Sequence, residues 1–131
     1  VLEIICQKHI HLLIPHLPYF TNHLSQIKNE SALRPLSKIC AHLSKLFVNE
    51  KNQYIKEAFL KKHQKKMIVC SFDWLIEDHK IATQVFAMDT LFYLGKDLSW
   101  VHEELQLILQ QNTATSSAGY QARARAILKK I

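Results

Sequence analysis

Glycine is scarce in this chain: two among 131 residues, alongside three prolines and three cysteines. Tight β-hairpins, phosphate-cradling loops and nucleophile elbows draw on glycine, where φ must turn positive or backbone must approach a ligand closely. Two glycines leave no room for a Rossmann domain, a P-loop NTPase or an α/β-hydrolase. Long apolar runs are missing too, and none approaches the ~20 residues a membrane span needs. Cys6, Cys40 and Cys70 are too few and too evenly scattered for a disulfide framework or a CxxC metal site. Each sits among apolar helical neighbours, which predicts small core residues of a reduced, cytoplasmic protein. The first residues read as helix without the basic head of a signal peptide, so the chain is expected to be the end of something longer.

What is present is apolar residues at 48% and charged residues at 21%, a balance that argues against disorder. Apolar periodicity predicts six helices. In the first, from Pro15 to Lys28, the stripe is Leu13, Leu17, Phe20, Leu24 and Ile27, with Pro15 and Pro18 tolerated in the first turn. The second runs from a Ser31 N-cap to Val48 on Leu36, Ile39, Leu43 and Leu46, with Pro35 near its start. A short extra turn fits residues 54–60. The third covers Lys62 to Glu77 with Ile68, Phe72, Leu75 and Ile76 facing one way, and Trp74 in the core. The fourth, Lys80 to Gly95, is apolar nearly all round and should be buried. The fifth, capped by Ser99, buries Val101, Leu105, Ile108 and Leu109. The sixth starts at Ser116 or Ser117 and buries Tyr120, Ala124, Ile127, Leu128 and Ile131.

Short polar breaks make these three antiparallel pairs, 15–48, 62–96 and 100–131, offset by roughly 40 residues as in two-helix repeats. Residues 1–8 read as the tail of a preceding repeat, and 1–131 as one domain. The run Trp74-Leu75-Ile76-Glu77-Asp78, then Ile81-Ala82, Ala87-Met88 and Leu91 to Leu94-Gly95, resembles a repeat of the HEAT family, as does Arg123 with Ala126 and Ile127-Leu128. Gln84 stands where that family often places Arg or Lys. The resemblance, to HEAT-repeat or armadillo-like α-solenoids and small bacterial proteins among them, implies an all-α, right-handed superhelical stack serving as a protein-binding scaffold. One branch of the family, the alkylated-DNA repair proteins, implies nucleic-acid binding as the alternative. Ser116-Ser117-Ala118-Gly119 is not followed by the Met-Pro-x-Lys-x-Asn of an adenylosuccinate lyase mobile loop, so that activity is not inferred.

Charge is segregated. Residues 1–66 carry +7, residues 67–116 carry −5 and residues 117–131 carry +4. The basic segments, with Lys56 beside them, offer Lys61, Lys62, Lys65, Lys66, Arg123 and Arg125 as a candidate surface for an acidic partner. Their plainer role is a solvated helix face. Eight histidines, among them His9, His11, His16 and His23, show no metal-ligand spacing, and no catalytic residue, metal or cofactor is assigned. Asp73, next to Trp74, reads as solvent-facing. Asp89, inside the apolar fourth helix, must be paired or hydrogen-bonded: it caps a neighbouring turn, bonds a Lys or Arg of the adjacent repeat or lines a groove, and a structural bond is the favoured reading.

Overall fold

A computed structural model describes residues 9–49, 53–112 and 116–131. Its seven α-helices are α1 (Leu17–His23), α2 (Glu30–Asn49), α3 (Gln53–Ala58), α4 (Lys61–Ile76), α5 (Ile81–Leu94), α6 (Ser99–Asn112) and α7 (Ala118–Lys130). Single 3-10 turns occupy Ile10–Leu12, Ile14–His16, Leu24–Gln26 and Gly95–Asp97. No strand occurs among the described residues, so the fold is all-α. The repeat tail expected at residues 1–8, Cys6 and most of the polar link before α7 lie outside the described residues.

The first segment differs from the single helix expected over Pro15 to Lys28. Prolines at 15 and 18 withdraw two N–H donors three residues apart, and each occupies the opening of its own short element. Continuous α-structure therefore begins only at Leu17 and gives way to a 3-10 turn at Leu24. The apolar stripe survives the break: Leu13, Leu17 and Leu24 are buried, with Phe20 and Ile27 packed against the core.

Helix α2 begins one residue before the expected cap, because Asn29 does the capping. Its side-chain oxygen accepts the Ser31 N–H at 2.8 Å, and its carbonyl accepts from Ala32 and Leu33. Pro35 consequently falls in the second turn, inside the helix. On α4 the buried arc centres on Met67, Ser71 and Trp74. Ile76 is nearly opposite that arc at 100° per residue, and it is 65% exposed where burial was expected. Ser99 is the first residue of α6, whose opening N–H at Val101 is taken by the Leu98 carbonyl at 3.0 Å. Ser117 does cap α7, accepting from the Tyr120 N–H at 3.3 Å.

Packing converges on α5, which contacts α2, α4, α6 and α7, while α1 packs against α4. Ala87, Met88 and Leu91 are fully buried there. Gln84 closes the α4–α5 turn by donating to the Glu77 carbonyl at 3.1 Å, taking up an orphan acceptor at the end of α4. The next joint depends on Gly95. Its φ of −77° is ordinary, so conformational freedom is not the reason for glycine here. A Cβ would run into the His102 ring and come within 3.0 Å of Val101 Cγ1. Without one, His102 reaches over the end of α5, with Nε2 2.7 Å from the Phe92 carbonyl and its ring stacked on Phe92. That contact fixes where α6 starts.

Candidate binding groove

Four lysines at 61, 62, 65 and 66 divide along the helix into two i, i+4 rows. Lys61 and Lys65 share a face with Gln64 and Ile68; Lys62 and Lys66 share the next with Val69. The exposed ridge of α4 therefore separates two depressions. Lys62 and Lys66 border a trough of about 460 Å³ whose floor includes Val69 and Cys70, against Thr21, Asn22 and Ser25, and Lys65 reaches it as well. Lys66 Nζ donates to the Asn22 side-chain oxygen.

The depression on the other side is apolar. It has a volume of about 510 Å³ and is walled by Phe47, Ile68, Leu94, Leu98 and Trp100, with Lys61, Gln64, Lys65 and Asp97 around it. Three joints build it. The end of α2 supplies Phe47, packed edge-on against Phe59 at 5.3 Å. Gly95 and the 3-10 turn after it bring Leu98 to the rim. The first turn of α6 supplies Trp100, stacked on Phe72 with centroids 6.1 Å apart yet 54% exposed. A half-exposed tryptophan leaning over an apolar floor suits an apolar guest, and the dimensions fall in the range of ligand sites. Lys56 extends the basic rim, with Nζ 4.6 Å from the Phe47 ring centroid.

Of the candidate cations, the structure brings together Lys61, Lys62, Lys65 and Lys66 and engages the other two elsewhere. Arg123 Nη1 donates to both Asp89 carboxylate oxygens at 2.7 Å, the α7-to-α5 bond expected for a carboxylate in an apolar helix. Burial pushes the Asp89 carboxyl above its ordinary range, against the pull of Arg123, Lys45 and Lys130. Arg125 Nη2 donates to Gln121 Oε1 at 2.8 Å, one turn back on α7. Asp89 lies on the stripe of α5 that includes Phe86 and Tyr93, about 180° from the Gln84–Met88–Leu91 stripe. Lys61, Lys62 and Lys65 have no hydrogen-bond or ion-pair partner among the described residues.

Phe47, Leu98 and Trp100 were not singled out from sequence as site residues. Trp100 did leave a signal, as a large aromatic outside the Val101–Leu105–Ile108 stripe of its own helix.

Cys40, Cys70, His63 and His79 are buried or paired. Burial pushes the Cys70 thiol up to about 11, and raises Cys40 further. His63 is 3% exposed, with Nδ1 3.4 Å from Thr21 Oγ1, and burial beside Lys62 and Lys66 lowers its pKa. His79 links the α4–α5 turn to the start of α2, its Nδ1 on Glu30 and its Nε2 3.3 Å from Glu77. No cluster of three or more His, Cys, Asp or Glu suited to a metal occurs among the described residues. No family model, curated protein or solved structure matches the chain.

Proposed function

We propose that this protein is a non-catalytic helical-repeat scaffold of the HEAT-like kind, which binds a protein partner through the groove between α2, α4 and α6. The observation that carries this reading is the groove itself: five apolar walls, one of them a half-exposed tryptophan, edged by lysines without partners among the described residues. Aromatic side chains at the centre of an apolar patch are the usual anchors of protein recognition. The repeat reading draws support from α5, which is in contact with the second helix of the pair before it and of the pair after it. A linear segment fits better than a flat surface, because the groove is a depression of about 510 Å³ to which both Trp100 and Phe47 contribute.

Selection of a random linear-peptide display library against the whole chain tests this. Peptides should be enriched whose affinity falls at least about ten-fold on Trp100→Ala, with unchanged far-ultraviolet circular dichroism. Enriched peptides indifferent to Trp100, or none enriched, would overturn it.

Nucleic-acid binding is the second reading, favoured by the four-lysine ridge of α4. It requires a continuous basic face, and Arg123 and Arg125 are engaged on α7 instead. Duplex DNA binding whose log affinity falls steeply with log salt is the outcome it requires.

A further inference from the structure

Resting on that reading, we infer that the groove's partner is an acidic linear segment, with one large apolar anchor and carboxylates on the α4 side of it only. Charge complementarity carries the inference. Lys61 and Lys65 stand at i, i+4 on one wall, about 6 Å apart at their Cβ atoms. Neither has a partner among the described residues, and both border the apolar floor. Lys65 also borders the trough shared with Lys62 and Lys66, so carboxylates leaving the groove over α4 meet the Lys62 ammonium and, beside it, that of Lys66, which also donates to Asn22. Asp97 stands at the rim of the same groove and repels an acidic residue there.

The segment therefore has a direction: an anchor between Phe47 and Trp100, acidic residues running over α4, and a neutral or basic residue at Asp97. Apolar contact supplies the holding power, and the lysine rows supply steering and choice of partner. Carboxylates there also relieve the repulsion between like charges one turn apart.

The test uses the Trp100-dependent peptides from the library and sequences them. The expected result is Asp and Glu concentrated on one side of a Trp, Phe or Leu. Affinity should fall about ten-fold or more in the Lys61→Glu/Lys65→Glu double variant and stay level in Lys129→Glu, an exposed-lysine control. A synthetic peptide with its acids replaced by Lys should bind the double variant in preference to the parent chain. Trp100-dependent peptides of neutral composition, or affinity unmoved by the charge reversal, would overturn the inference while leaving the groove as a docking site. The absence of Trp100-dependent peptides would remove the docking reading first. Acidic peptides that bind without an anchor and are displaced by duplex DNA would overturn the inference in favour of a general polyanion surface.

Discussion

Helices α7 and α4 both present rows of cations, and the fold treats them in opposite ways. On α7, Arg123 is held by both oxygens of Asp89, Arg125 by Gln121, and Lys130 Nζ lies 5.9 Å from the Phe92 ring centroid. On α4, Lys61, Lys62 and Lys65 meet no carboxylate among the described residues. Like charges at i, i+4 destabilise a helix by about 0.2–0.5 kcal/mol per pair, so the α4 arrangement is mildly unfavourable in isolation. The difference separates two uses of the same residue type. Arg123 on α7 closes an interface between helices, whereas on α4, where Lys66 is engaged by Asn22, Lys61 and Lys65 stay available beside an apolar groove.

The largest effect is expected where the groove side depends on backbone packing. Gly95→Ala places a methyl group against His102 and Val101 at the start of α6. Overpacking of this kind costs about 1–3 kcal/mol, read as a lower urea midpoint, and peptide binding should weaken with it because Leu98 and Trp100 shift. Full stability in this variant would show that the close approach of α6 to α5 is not required.

Next comes a direct contrast between the two cation rows. Arg123→Ala leaves Asp89, whose side chain is 17% exposed, without its guanidinium. The expected loss is about 1–2 kcal/mol at neutral pH, with the exposed Arg123 end keeping it modest. Burial already raises the Asp89 pKa, and the substitution raises it further. A carboxyl with a raised folded-state pKa destabilises once it must ionise, so the penalty should shrink as pH falls through that pKa and vanish below the unfolded value. Lys61→Ala should alter stability by less than about 0.5 kcal/mol. Equal losses at the two positions would erase the distinction.

Much of this was readable from the chain, for reasons that can be named. Helices α4 and α5 fall within one residue of their expected bounds and α6 starts at its expected cap, since Asp78, Gly95 and Ser99 punctuate the chain there. That Asp89 makes a structural bond was readable, because a carboxylate in a nearly all-apolar helix has to be paired or hydrogen-bonded; that the partner is Arg123 was not. The segment before α2 was not, because two prolines compete with the stripe for the backbone hydrogen bonds. The lysines of α4 were visible as part of a basic segment, but their division into two rows and the groove beside them were not. Phe47, Leu94, Leu98 and Trp100 span more than 50 positions of sequence, and only the convergence on α5 and the missing Cβ at residue 95 bring them together.

The smallest effect concerns a third kind of cation, one whose charge depends on pH. His79 is 12% exposed at its side chain and joins Glu30, at the start of α2, to the α4–α5 turn. Burial works against its charged form, but Glu30 and Glu77 outweigh it and raise its pKa above the ordinary value. With the folded-state pKa above the unfolded one, the stability this pairing gives is complete below about pH 6.5. It is lost as pH rises through the raised pKa. His79→Gln should therefore lower stability by no more than about 1 kcal/mol in mildly acidic buffer, and by less above the raised pKa. Urea unfolding across that pH range reads the difference, with Glu30→Gln expected to reduce the pH dependence, Glu77 remaining beside the ring. A penalty that grows with pH would mean that His79 acts as a neutral hydrogen-bonding side chain. The contrast with α4 would then rest on the bond between Arg123 and Asp89.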